Sequence, residues 1–177
     1  KSDIPIKVIV LDDTQRDDDP WDRCYAHGSI DKERYDWLVN ELDEGQRDGQ
    51  LMIIAAHVPI GVADPTGYTG WSLNAYVTEA DLIAKLHEYP NFIMWLAGHR
   101  HLNTVTAFPS PNSAQPELGF WQVETASFKS FPQQFRTFDI LYNCDNTVSI
   151  LAINVDPEIP EGSLAEISRS YAIALMQ

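Results

Sequence analysis

The sequence has little positive charge, few cysteines and no long apolar run, and each shortage excludes a class of protein. Lys and Arg number 12 against 26 Asp and Glu, which gives a formal net charge of −14. A surface of this sign repels nucleic acids and anionic membranes, so we expect neither as a partner. The two cysteines allow one disulfide but no disulfide-rich framework. No apolar run approaches the roughly 18 residues of a membrane-spanning helix.

The amino terminus also lacks an initiating methionine and the apolar region of a signal peptide. We therefore expect the chain to be a piece of a longer protein or a processed product. Any export signal would precede residue 1, so the compartment, cytoplasmic or exported, stays unknown. With 177 residues and 44% hydrophobic content, the chain is long enough to bury one substantial core.

Hydrophobic periodicity predicts that the first hundred residues form a β-α-β-α-β unit. The strand-like apolar runs lie at 6–11, 51–56 and 92–97. An amphipathic helix with Asp31 or Ser29 as its N-cap separates the first two runs, and a second helix begins at Thr78. Parallel strands joined by right-handed helical crossovers are the natural arrangement, and we expect all three strands to be buried.

The second half predicts antiparallel strands closed by a helix. Its apolar or alternating segments lie at 102–108, 119–126, 135–143 and 147–155. Their short spacing is typical of an antiparallel meander. Ser163 and Glu166 form a capping box before a final helix. The predicted fold class is therefore α/β, a β-α-β-α-β unit followed by antiparallel strands, with one domain over 1–160 on which a helix over 161–177 packs.

Three of the five histidines directly follow two of the predicted strands. His57 stands in Ala-Ala-His-Val-Pro after the second strand, and His99 and His101 stand in Ala-Gly-His-Arg-His after the third. Ligands of open α/β sheets bind at this end of the strands. In an extended segment residues i and i+2 project to the same side, so we expect His99 and His101 to face one site. Converging imidazoles suggest a metal site, against the alternative of ordinary structural histidines.

Other polar and aromatic residues leave two interpretations open. Asp12 and Asp13 end the first strand, where a carboxylate would ligate a metal, fix a histidine by a hydrogen bond or simply begin an acidic loop. The long loop over 58–77 is typical of a functional segment, and Tyr68 and Trp71 in it are candidate substrate-binding residues unless they only pack the loop. His27 is a further candidate for lining the site, or an ordinary loop histidine.

The combined motifs resemble the C-terminal half of the calcineurin-like metallophosphoesterases. The matching stretches are Gly28–Asp31, Ile53–Pro59, Ala97–His101 and Val123–Ser127. In that superfamily a histidine follows a strand, often before x-Pro, and a Gly-His-x-His motif comes later. The resemblance covers roughly residues 6–155. It implies a four-layer α/β/β/α sandwich, of which this chain would be the later part.

The resemblance also implies a reaction and its cofactors. By that resemblance His57 and His99 would bind one ion of a two-metal centre and His101 the other. The ions, Mn, Fe or Zn, would clamp a small phosphomonoester or phosphodiester, activate a bridging water and stabilise the leaving oxygen. The parent protein would then be a hydrolase, although the resemblance assigns no catalytic side chain in this chain.

The family's amino-terminal motifs Asp-x-His, Gly-Asp-x-x-Asp and Gly-Asn-His-Asp/Glu are absent. They supply the remaining ligands, including the bridging carboxylate. We therefore expect the C-terminal part of a longer enzyme, inactive alone, with weak or no metal binding and with self-association that covers apolar sheet surface. Two alternatives stay open: a degenerate scaffold or protein-interaction module without catalysis, and a complete mononuclear site with Asp12 or Asp13 as its fourth ligand.

Overall fold

The described residues form two compact units. The structure, a computed structural model, describes residues 4–14, 27–62, 70–71 and 76–175. The first unit lies within Lys1–His99 and Thr104–Glu124, and the second within Arg100–Asn103 and Thr125–Gln177. The domain boundaries predicted above, 1–160 and 161–177, stay a prediction.

A five-stranded sheet is the framework of the first unit. Its elements are β1 (Ile6–Val10), α1 (Lys32–Arg47), β2 (Leu51–Ala55), α2 (Glu79–Leu86), β3 (Phe92–Ala97), β4 (Thr104–Phe108) and β5 (Phe120–Glu124). The strands are ordered β1-β2-β3-β5-β4. All neighbours pair in parallel except β4, which is antiparallel to β5. The predicted α/β class and its β-α-β-α-β start are confirmed.

The second unit contains a hairpin and a helix. Strands β6 (Phe135–Tyr142) and β7 (Val148–Val155) pair antiparallel, and α3 spans Leu164–Ala174. The four later strands do not form one meander, because β5 returns beside β3 and joins the parallel sheet. Four of its five residues are buried, which suits a strand in the interior of a sheet better than a half-exposed meander strand.

The helices begin where the sequence predicts. The side chains of Asp31, Thr78 and Ser163 accept hydrogen bonds from the backbone N–H groups three residues on, at 2.8, 3.1 and 3.2 Å. Of the two candidates for the first cap, Asp31 is the one used. Such a cap contributes about 1 kcal/mol. No helix within the described ranges has the length and apolar character needed to cross a membrane.

Both helices of the first unit pack into a single apolar cluster on the sheet. Leu38 and Leu42 of α1 and Leu82 and Leu86 of α2 are fully buried in it. The prediction of a buried first strand is correct for one face only. Ile9 is 2% exposed, but alternate residues on the other face, Ile6, Val8 and Val10, are 44, 58 and 73% exposed. The reason is that β1 is an edge strand of this sheet and its helices cover a single face.

Close packing of α1 on β2 depends on a glycine. A Cβ atom at Gly45 would lie 2.8 Å from Cγ of Met52. We expect Gly45→Ala to lower the free energy of unfolding by roughly 1–3 kcal/mol, because overpacking outweighs the gain of about 1 kcal/mol in helix propensity. Urea denaturation measures this cost, which should shrink in a Met52→Ala background. A more stable Gly45→Ala variant would contradict the packing.

Candidate functional site

The carboxyl ends of β2 and β3 bring two of the predicted histidines into contact. Nε2 of His57 and Nδ1 of His99 are 3.0 Å apart, and the ring planes are inclined at 72°. One ring therefore donates a hydrogen bond to the other. The same separation fits a shared ion, since two nitrogens that each lie about 2.1 Å from one metal are roughly 3.0–3.4 Å apart. His57 is exposed to solvent and His99 is half-buried.

The backbone of the Gly-His-x-His segment is not extended. His99 has φ 67° and His101 has φ 58°, both in the left-handed region. We expected these side chains to project to one side because we took the segment to be extended. That assumption about the backbone is wrong. Histidine tolerates this conformation better than most residues, but the conformation still costs of order 1–3 kcal/mol and concentrates at functional sites.

His101 belongs to the second unit, whereas His57 and His99 belong to the first. Nδ1 of His101 is 3.0 Å from Oγ of Ser130, also in the second unit. Among the side chains that the structure describes, no group of three or more His, Cys, Asp or Glu could hold a metal ion. The His57–His99 pair thus supplies two nitrogen donors, and a complete coordination shell needs further ligands.

Asp13 holds the backbone of the segment that carries His57. Its carboxylate is completely buried and accepts hydrogen bonds from the N–H groups of His57 and Val58, both at 2.9 Å. Burial raises the pKa of Asp13 to about 6, against the lowering effect of these hydrogen bonds. Of the roles left open above, fixing a histidine segment is the one that these contacts match. Asp12 is exposed and accepts from Thr14 N at 3.1 Å, as expected of a residue that begins a loop.

Side chains from the sheet hold the next residues of the same loop. The indole N–H of Trp95 donates to the Val58 carbonyl at 3.2 Å. The Gln122 amide accepts from Ile60 N at 2.7 Å and donates to Ile60 O at 3.0 Å. Both side chains are fully buried. Residues 57–60, at the start of the loop after β2, are therefore fixed by residues of β3 and β5 as well as by Asp13.

Sequence reasoning missed two buried polar residues of β5. Gln122 and Glu124 have no exposed surface, and Glu124 accepts a hydrogen bond from Thr104 Oγ1 at 2.8 Å. Glu124 pairs with Ala97 at the carboxyl end of the parallel sheet. The signal was present in the sequence, since Gln and Glu interrupt an otherwise apolar strand. Buried polar groups need partners, so such residues indicate a contact to look for.

The predicted substrate-binding residues have different surroundings. Nδ1 of His27 lies 3.3 Å from the Gly70 carbonyl oxygen, and the contact is half-buried. Trp71 is a core residue, 9% exposed, whose indole N–H donates to Val77 O at 3.1 Å. A substrate could reach only the small exposed remainder of that ring. Tyr68 lies outside the described residues, and the substrate-binding role of all three stays a prediction.

Comparisons with known proteins find solved structures that are similar to this chain over part of their own length. No protein-family model matches the chain, and no curated protein is significantly similar in sequence. A dimetal phosphatase from Danio rerio matches 63% of this chain and 32% of its own length, at 17% identity and a TM-score of 0.45. A protein described as "Putative 5'-Nucleotidase" from Staphylococcus aureus, in complex with alpha-ketoglutarate, matches 94% of this chain and 31% of its own, at 10% identity and a TM-score of 0.49. The chain thus spans about a third of the length of these two structures.

The role of Asp13 is testable by amide hydrogen exchange. We expect Asp13→Ala to remove the protection of the His57 and Val58 N–H groups and to destabilise the fold by at least about 2 kcal/mol, because two backbone donors lose their acceptor. Asp12→Ala is the matched control and should leave both amides protected, since within the described residues Asp12 accepts hydrogen bonds from Thr14 in its own turn. Unchanged protection in Asp13→Ala would disprove the role.

Proposed function

We propose that the chain is the C-terminal part of a metal-dependent phosphoesterase, in which His57 and His99 bind one divalent ion and His101 binds a second. The observation that carries the proposal is the 3.0 Å contact between Nε2 of His57 and Nδ1 of His99 at the carboxyl end of two parallel strands. The order of the motifs, His-x-Pro and then Gly-His-x-His, supports it. The ions are Mn, Fe or Zn, and the substrate is a small phosphoester.

The residues of this chain would bind and orient the reacting groups. When bound, two ions supply a water nucleophile and stabilise the leaving oxygen. His57 would hold the ion through Nε2 and His99 through Nδ1, the two nitrogens that face each other. Asp13 and Gln122 fix the loop that carries His57, so these donors need little reorganisation.

The proposed activity is tested with metal analysis and hydrolysis of bis(p-nitrophenyl) phosphate with Mn²⁺. The samples are this chain and a longer protein that includes the sequence encoded upstream. We expect activity and about two ions per chain in the longer form alone, as a two-metal mechanism requires. Activity in neither form would contradict the proposal and favour a scaffold. Tight zinc binding by this chain alone would favour the mononuclear site.

Histidine variants of the longer protein separate ligands from structural residues. We expect His57→Ala, His99→Ala and His101→Ala each to lose metal and to lower the hydrolysis rate by at least about a hundredfold, since each removes a proposed ligand. His87→Gln is the control: His87 is half-buried, with Nδ1 2.7 Å from Leu118 O, and lies outside the proposed ligand set. Full metal content in the three alanine variants would refute the ligand assignment.

A second candidate, a non-catalytic interaction module, is favoured by the exposed apolar residues of β1. Ile6, Val8 and Val10 form a row on one face of an edge strand. Apolar rows of this kind mark sites of protein association. We propose that the isolated chain uses this row to self-associate.

Self-association is tested by light scattering over a range of protein concentrations. We expect the wild-type chain to form oligomers and Val8→Lys to shift it toward the monomer, because the substitution places a charge in the middle of the row. Trp37→Lys is the control, since it places the same charge on α1 at a residue that is 42% exposed. A wild-type chain that stays monomeric would contradict this proposal and leave the phosphoesterase proposal intact.

A further inference from the structure

The backbone groups of β1 alternate between facing β2 and facing outward from the edge of the sheet. Leu51 N donates to Pro5 O at 3.0 Å, and Leu11 N donates to Ala55 O at 2.9 Å. In a parallel pair the residues that bond to the neighbouring strand recur at every second position. The odd-numbered residues of this segment therefore bond to β2, and the even-numbered residues direct their N–H and C=O groups away from it.

The outward groups belong to Ile6, Val8 and Val10. Their strand is the outermost of the sheet, and these groups have no partner among the residues that the structure describes. The same three residues carry the exposed apolar side chains of β1. One short strand thus combines unpaired backbone groups with a row of apolar side chains.

This edge lacks the features that usually prevent strand pairing. Natural sheets protect an exposed edge with charges, prolines or bulges. Lys7 is the one charged residue of β1, and its Nζ is engaged on α1 by Glu41 Oε2 at 2.7 Å. Pro5 is on the register that faces β2, and the pairing of β1 with β2 is regular throughout. The outward edge is therefore an open template for another strand.

Symmetry and charge select the strand that fits this template. The chain carries a net charge of −14, so two copies repel each other over most of their surface, whereas the outward residues of β1 are uncharged. A strand that pairs antiparallel with its own copy is self-complementary, because a twofold axis gives each outward N–H a carbonyl acceptor.

We propose that two copies of the chain associate by antiparallel pairing of β1 with β1 about a twofold axis at Val8, an inference that specifies the self-association proposed above and rests on it. Val8 then lies opposite Val8 of the second copy, and Ile6 lies opposite Val10. Each of these pairs exchanges two N–H···O bonds, because all three residues have outward backbone groups. Opposite side chains share a face of the sheet, so the two apolar rows merge into one β-branched cluster.

Cysteine cross-linking of the full chain tests the register, in a background with Cys24→Ser and Cys144→Ser. We expect Val8→Cys to form a disulfide-linked dimer on oxidation, because the Cα atoms of such a pair are about 5.5 Å apart, within reach of a disulfide. Val10→Cys is the matched control. Val10 is the more exposed residue, at 73% against 58%, but it lies roughly 13–14 Å along the strand from its own copy and should stay uncross-linked. Equal cross-linking of the two variants, or none in Val8→Cys, would overturn the proposal.

Amide hydrogen exchange distinguishes edge pairing from packing of the apolar faces. We expect exchange of the Ile6, Val8 and Val10 N–H groups to slow as protein concentration rises, while those of Lys7 and Ile9, which face β2, stay protected throughout. Raised salt should strengthen this effect, since it screens the repulsion between two negatively charged chains. Face-to-face packing would leave the outward amides in fast exchange. Protection at every concentration would mean that a segment of the same chain occupies the edge, and either result would overturn the proposal.

The proposals fail in different ways. If the chain self-associates while the outward amides exchange quickly, the edge geometry is wrong and self-association through the apolar row stands. If the chain stays monomeric at high concentration and raised salt, both fail. Neither result bears on the phosphoesterase proposal.

Discussion

Residues 57–60, directly after β2, bond their backbone polar groups to side chains from other parts of the first unit, and the arrangement of that unit follows from this constraint. Buried N–H and C=O groups need partners, but residues 57–60 belong to neither a helix nor a strand. Asp13, Trp95 and Gln122 supply the partners from the end of β1, from β3 and from β5. Each contact requires its strand to be in the right place, so the sheet order and the backbone of residues 57–60 depend on each other.

Burying the polar side chains of Asp13, Trp95 and Gln122 costs free energy of hydration, which argues that they serve a purpose beyond stability. A carboxylate with no exposed surface loses its hydration, and the raised pKa of Asp13, about 6, reflects that loss. An apolar core would avoid the penalty. The hydrogen bonds from His57 and Val58 recover part of it and fix the backbone beside an exposed imidazole. Polar networks of this kind rigidify a site when every member is satisfied.

Local features of the sequence were sufficient to predict the helices, to limit the first cap to Asp31 or Ser29, and to predict the parallel strands β1, β2 and β3. Asp31 and Thr78 act through neighbours three residues away, so a short window contains the whole interaction. The contact between His57 and His99 was also predictable, because both follow strands whose helical crossover makes them neighbours. The parallel pairing of β5 was not, since it depends on a strand that is distant in sequence. The left-handed backbone at His99 was not predicted either, because the segment was taken to be extended.

The bond between Gln122 and Ile60 also fixes an order of events in folding. The two residues are 62 positions apart, and β4 is made between them. Contacts of such long separation carry the entropic cost of closing the intervening chain. A ribosome releases β2 and β3 well before β5, so the loop that carries His57 stays without its final support while the nascent chain ends short of β5. The segment that carries His57 thus gains its hydrogen bonds to Gln122 only when β5, which contributes no histidine, joins the sheet.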